Sequence, residues 1–262
     1  MKGKRMNDLE TFMLEKFGIS KKVLDFCLEQ EKAIASSFAE IDRITEYNQY
    51  KVLAAMQKNR LSDVHFAATT GYGYNDLGRD TLEEIYADVF EAESALVRPQ
   101  LISGTHALTV ALAGNLRPGD ELLSPVGAPY DTLQGVIGIR PEDGSLAEYG
   151  ITYRQVDLIG EDQFDYEGIR NAMNDKTKLV TIQRSKGYEW RKSFTVEEIG
   201  QLISFIKSIK PDVICMVDNC YGEFVETIEP SQVGADLVVG SLIKNPGGGL
   251  APIGGYIVGK KE

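Results

Sequence analysis

Residues 20–60 contain no glycine or proline, and apolar side chains return there at helical spacing. Val23, Leu24, Cys27, Leu28, Ala33, Ile34 and Phe38 fall on one helical face. Ile41, Ile44, Val52, Leu53 and Met56 continue the pattern after an expected break near Tyr47-Asn48. The pattern predicts an N-terminal helical segment over residues 1–65. It would precede the main domain and lie across that domain or across a partner subunit. Residues 69–80 break the pattern with Gly71, Gly73 and Gly78 among Tyr72, Tyr74, Asn75 and Asp76, which reads as a loop with exposed aromatic rings. Asp80-Thr81-Leu82-Glu83-Glu84 then opens a helix with acidic groups in its first turn.

Over residues 66–262 short apolar runs alternate with helical patterns. Ala95-Leu96-Val97 precedes a helix after Ser103-Gly104, and Glu121-Leu122-Leu123 precedes one after Tyr130. Further strands are expected at 151–156, 179–182, 213–217, 237–239 and 253–258, with helices at 166–173 and 196–209. This alternation predicts an α/β domain with a mainly parallel sheet covered by helices on both faces. Ligands in such folds bind beyond the carboxyl ends of the strands, so the residues just after each strand carry the candidate chemistry.

Composition narrows the function. The chain has 262 residues, 43% hydrophobic and 26% charged, as in ordinary soluble domains. A net charge of −11 without a dense basic run argues against nucleic acid as a partner. No apolar segment is long enough for a membrane span, and Met1-Lys2-Gly3-Lys4-Arg5 leads into no signal-peptide core. Three cysteines without a CxxC pair suit a reducing compartment, so a cytoplasmic location is expected. With only His65 and His106, neither a metal site nor a Ser-His-Asp triad finds a convincing ligand or partner set.

Four strand-end features remain. Lys244 follows the apolar run ending at Val239, with Ser241 three residues before it and Gly247-Gly248-Gly249 just after. A lysine in a dry, enclosed site becomes a nucleophile towards an aldehyde; a solvated loop lysine beside a tight turn is the alternative. Asp218 ends the run 213–217, where a buried carboxylate needs a positive partner such as a pyridinium nitrogen, unless it merely caps a turn. Tyr221 can reach the same ring's phenolic oxygen or simply pack. Ser103-Gly104-Thr105 at a helix N-terminus offers free N–H groups to a phosphate, although Ser and Thr are also ordinary N-caps. Tyr130 can stack on a flat cofactor or serve as a core or interface residue. Phosphate turn, stacking ring, strand-end Asp and Ser-x-x-Lys occur in the chain order used by fold-type I enzymes of pyridoxal 5'-phosphate (PLP). No GxGxxG opens a helix after a strand, which weakens a dinucleotide reading.

Four segments carry a closer resemblance. They are Gly71-Tyr72-Gly73-Tyr74-Asn75-Asp76-Leu77-Gly78-Arg79-Asp80-Thr81-Leu82-Glu83, Val97-Arg98-Pro99-Gln100-Leu101-Ile102-Ser103-Gly104-Thr105-His106, Val217-Asp218-Asn219-Cys220-Tyr221-Gly222-Glu223, and Gly240-Ser241-Leu242-Ile243-Lys244-Asn245-Pro246-Gly247-Gly248-Gly249. The chain resembles the Cys/Met-metabolism PLP enzymes, and more narrowly their aluminium-resistance or methionine gamma-lyase-like group. The resemblance implies a seven-stranded sheet and a carbon–sulfur lyase acting on a sulfur-containing amino acid. It makes Lys244 the Schiff-base lysine and Asp218 the partner of the pyridine nitrogen. Ser103, Gly104, Thr105 and Ser241 would hold the phosphate, with Tyr130 stacked on the ring and Gln183, Arg184 and Ser185 as further contacts. Tyr72, Tyr74 and Arg79 would enter the site of a neighbouring subunit in a homodimer or homotetramer. Two departures stand out: Ile243 replaces the usual hydroxyl residue before the lysine, and Tyr221 is a feature of aminotransferases. The chain also ends soon after Lys244, so the small C-terminal domain, which usually supplies the arginine for the substrate carboxylate, is expected to be missing. An aminotransferase-like enzyme and a truncated, catalytically silent PLP-binding stress-response protein are the rival readings.

Overall fold

The computed structural model describes residues 8–69, 72, 74–160 and 162–261. Met1-Lys2-Gly3-Lys4-Arg5, Gly71 and Gly73 lie outside the described residues. The chain divides into two compact units, Met1–Glu46 and Tyr47–Glu262. The first holds α1 (Asp8–Phe17), α2 (Lys21–Ala33) and the start of α3 (Ala35–Lys58). Ser20 caps α2 by accepting from the Val23 amide at 3.4 Å. The expected break at Tyr47-Asn48 is absent: α3 runs through it, and the interruption falls at Ile34. Asn48 stays helical because its side-chain amide donates to the carbonyls of Phe224 and Glu226 instead of competing for its own backbone. α1 lies upstream of the periodic stretch, inside the segment 1–65 read as helical.

The second unit is built on one seven-stranded sheet in the order β1-β7-β6-β5-β4-β2-β3. Its strands are β1 (Ser94–Arg98), β2 (Glu121–Ser124), β3 (Thr152–Gln155), β4 (Thr177–Gln183), β5 (Ile214–Asp218), β6 (Leu237–Ser241) and β7 (Gly255–Gly259). β3, β2, β4, β5 and β6 pair in parallel, whereas β7 runs antiparallel to both β6 and β1. Side chains alternate across this sheet between two apolar clusters. Leu123, Val180, Ile182, Val217 and Val238 enter one; Leu122, Leu179, Met216 and Val239 enter the other. Burial on both faces explains why the central strands read as continuous apolar runs.

Helices close both faces. α5 (Gly104–Asn115) and α6 (Asp131–Ile137) supply the second cluster. α4 (Leu77–Val89), α7 (Tyr166–Ala172) and α8 (Val196–Ile209) supply the first. α8 begins with a reciprocal capping box between Thr195 and Glu198 and buries Val196, Ile199, Leu202, Ile203 and Ile206. α4 starts earlier than expected, at Leu77. The carboxylate of Asp76, not Asp80, is its N-cap, accepting from the Arg79 amide at 3.3 Å and from Thr69 at 2.9 Å. Among the described residues no helix is long and apolar enough to cross a membrane.

Ile182 is fully buried in the central strand β4, where a cavity cannot collapse easily. Ile182→Ala should therefore cost about 2–5 kcal/mol, read as a lower urea midpoint at unchanged slope. A loss below about 1 kcal/mol would show that β4 is not a core strand in solution.

Candidate active site

The carboxyl edge of the sheet brings the strand-end residues together. Gln183 and Asp218 are the last residues of β4 and β5 and sit in register; Ser241 ends the adjacent β6. β2 leads through 125–129 to Tyr130, whose amide donates to Gln183 Oε1 at 2.7 Å. The N-terminus of α5 faces the same space. Ser103, Gly104, Thr105, Tyr130, Gln183, Ser185, Asp218, Tyr221, Ser241 and Lys244 all line one cavity of about 510 Å³.

At the α5 end, Ser103 Oγ accepts from the His106 amide at 3.1 Å, which leaves its hydroxyl proton free to donate elsewhere. The amides of Gly104 and Thr105 belong to the first turn, where no intrahelical carbonyl reaches them. A Cβ on Gly104 would lie 3.1 Å from Ser241 Cβ and 3.2 Å from Cys220 Sγ, so a glycine lets the helix approach β5 and β6 this closely. Ser241 Oγ is buried there with no hydrogen-bond partner. Such a hydroxyl is expensive unless something else binds it. A phosphate between the α5 amides and Ser241 satisfies these groups together.

Asp218 is buried, and burial drives its carboxyl pKa upward. The Cys220 amide (3.1 Å), the Cys220 thiol and the charge of Lys244 oppose that shift. A pyridinium nitrogen would compensate this carboxylate in the same way. Lys244 is half-buried, with Nζ 4.1 Å from the centroid of the Tyr221 ring. The phenol of Tyr130 holds its proton more tightly than usual, through the hydrogen bond with Tyr188, partial burial and the nearby Asp131 and Tyr221. The donor set thus fits PLP: an anion cradle, a buried carboxylate, a flanking ring and an amine in one cavity.

The family profile that matches, methionine gamma-lyase, covers residues 23–262. This chain belongs to the methionine gamma-lyase family. It is 56% identical over 237 residues to the protein YnbB of Bacillus subtilis (strain 168), covering 90% of this chain and 56% of that one. The crystal structure of a carbon-sulfur lyase involved in aluminum resistance from Clostridium novyi NT superposes with a TM-score of 0.92 at 49% identity. That match covers 98% of this chain and 62% of the other. L-methionine gamma-lyase of Pseudomonas putida is 27% identical over 192 residues, 73% of this chain and 44% of that enzyme. The chain therefore spans only about three-fifths of the length of its nearer relatives. A PLP-dependent protein of Escherichia coli, YhfS, shares the fold at 19% identity and a TM-score of 0.64. The fold is the α/β fold of fold-type I PLP enzymes, with a mostly parallel seven-stranded sheet.

Other family-derived positions fall elsewhere. Tyr72 and Tyr74 are largely exposed, and Arg79 Nε pairs with Asp76 at 3.0 Å; none lines the Lys244 cavity. Arg184 is a correction. Alternation along the extended chain directs Gln183 and Ser185 to the cavity and Arg184 away from it, into a buried polar cluster. Thr132, Cys220, Lys186, Tyr188 and Ser193 also line the cavity and were missed. Thr132 shares a 2.9 Å hydroxyl contact with Thr105, a pairing no spacing rule reveals. Among the described residues no cluster of three metal-ligating side chains occurs.

Behind β6, Glu223 is buried, and its carboxyl accepts from the Tyr256 hydroxyl at 2.8 Å. Burial pushes its pKa up to about 7, the Tyr256 bond opposes this, and the charges of Glu229 and Asp218 add to it. The folded chain thus keeps a proton that the unfolded chain loses, so this group's contribution to stability falls as pH rises from about 4.5 to about 7. Glu223→Gln retains an acceptor for Tyr256 and removes that dependence. In urea titrations the variant should exceed the parent by up to about 3 kcal/mol above pH 7, with the gap closing below pH ~5. A constant gap across this range would contradict the assignment.

Proposed function

We propose that the chain is the cofactor-binding part of a PLP-dependent carbon–sulfur lyase acting on a sulfur-containing amino acid. The observation that carries this reading is the unpartnered Ser241 hydroxyl, buried in the cavity that also holds Lys244 and Asp218. The phosphate would rest on Ser103, Gly104, Thr105 and Ser241, with Tyr130 flanking the ring and Gln183 and Ser185 completing the wall. When bound, PLP supplies an electron sink for the carbon that loses its proton.

The protein's own groups provide the rest. Lys244 would be the attachment amine and, as a free amine, the base that takes up the substrate α-proton. Asp218, buried at the end of β5, would hold a proton on the ring nitrogen. Cleavage of the C–S bond would send its electron pair out with the sulfur, which takes up a proton and leaves as a thiol; water then releases the amino nitrogen as ammonia and leaves the keto acid. Tyr72, Tyr74 and Arg79 are exposed or paired away from their own cavity, which supports their reaching a second copy in a homodimer or homotetramer. Three unpaired thiols suit a cytoplasmic setting.

Release of keto acid and thiol from cystathionine, cysteine or methionine in the presence of PLP tests the activity. The expected outcome is thiol release together with keto acid, and loss of at least about a thousand-fold in Lys244→Ala. Keto acid that appears only with an added acceptor keto acid, without thiol, would favour the aminotransferase alternative. Binding of PLP without turnover would favour a silent binding protein.

A further inference from the structure

We propose that Arg184 is a positioning residue that locks the 219–222 turn and thereby sets Tyr221 beneath the Lys244 ammonium. The consequence for Lys244 rests on the cofactor reading above. The lock itself is a property of the chain alone.

Arg184 follows the last residue of β4 and is only 3% exposed. Its amide donates to the Asp218 carbonyl at 3.0 Å, and its carbonyl accepts from the Phe194 amide at 3.1 Å. The guanidinium then ties together three pieces of chain. Nη1 donates to Asn219 Oδ1 and to the Gly222 carbonyl, both at 2.8 Å. Nε donates to the Phe194 carbonyl at 3.3 Å, and Nη2 to Glu226 Oε1 at 2.6 Å. Glu229, fully buried, places a second carboxyl group 3.7 Å from Nη1. A planar fork with five N–H donors makes these bonds at once; a lysine ammonium cannot.

The turn needs such an anchor. Tyr221 has φ 68° and Phe224 φ 62°, in the left-handed region that costs a non-glycine residue about 1–2 kcal/mol. Strain of this kind persists only where the surroundings over-determine it. Asn219 and Gly222 flank Tyr221 on both sides, and both are held by the same Nη1. A Cβ on Gly222 would meet Arg184 Cδ at 2.6 Å and Nη1 at 2.8 Å, so only glycine admits the guanidinium. The outcome is the Tyr221 ring centroid 4.1 Å from Lys244 Nζ. Arg184 is not among the cavity-lining residues, so it acts through Tyr221 rather than on a ligand.

Arg184→Lys and Gly222→Ala test this from opposite sides of one contact. In hydrogen–deuterium exchange without cofactor, amides of residues 219–225 should exchange about ten-fold faster or more in both variants. With PLP added, affinity should fall about ten-fold, and the pH midpoint of the lysine-bound cofactor's absorbance band should move by about half a unit or more. Parental exchange across 219–225 overturns the proposal. So does a variant with lower thermal stability but an unmoved midpoint, because that is purely structural behaviour. Absence of the band in the parent chain would count against the cofactor reading and leave the exchange comparison to decide the role of Arg184.

Discussion

A carboxyl group buried at the end of a central strand demands a positive partner, and the surroundings of Asp218 are arranged around that demand. Burial pushes its pKa up, while the Cys220 amide and thiol and the Lys244 charge hold it down. These contacts are incomplete compensation for a carboxylate buried at the floor of the cavity. The strand order places Asp218 between Gln183 and the β6 segment ending in Ser241, so whatever cation it meets must enter from the cavity. The orphaned Ser241 hydroxyl sets a second demand, for an acceptor or donor near the α5 N-terminus. A molecule carrying a phosphate and a ring nitrogen satisfies both.

The remaining site residues depend on close backbone approach. Gly104 lets α5 press against Ser241 and Cys220, and Gly222 lets the Arg184 guanidinium press against the turn after Asp218. Arg184 thereby connects the end of β4, the Phe194 segment and the β5 turn. Its counter-charges Glu226 and Glu229 also serve the backbone, since Glu226 accepts from the Val196 amide at the start of α8 and Glu229 from the Phe224 amide. The cavity walls are therefore tied into the core of the sheet rather than left as free loops.

Much of this was legible in the sequence, for identifiable reasons. The parallel strands are buried on both faces, so 213–217 is an unbroken apolar run and 179–182 is broken only by Thr181. Residues 196–209 form a helix whose periodicity and Thr195–Glu198 cap agree, and the expected limits matched. The cavity residues sit at strand ends, where the fold class places ligands. What failed was side-chain competition that sequence pattern does not encode. Asp76 displaced Asp80 as the start of α4 because its carboxylate reaches the Arg79 amide. Asn48 did not break α3 because carbonyls 176 and 178 positions away take its donors. Arg184 looked like a cavity residue by position alone, yet strand alternation, the half-buried Glu226 and the buried Glu229 turn it inward. Tyr188 lies in a loop, and only the folded chain brings it to Tyr130, with ring centroids 5.9 Å apart.

Lys244 shares its cavity with Asp218 and Ser241 and is the residue proposed to bind PLP covalently. Borohydride reduction of the PLP-treated chain, followed by peptide mapping, tests it most directly. One pyridoxyl label is expected, carried by the peptide containing Lys244. A label on any other lysine, or none in a chain that is folded, would contradict it.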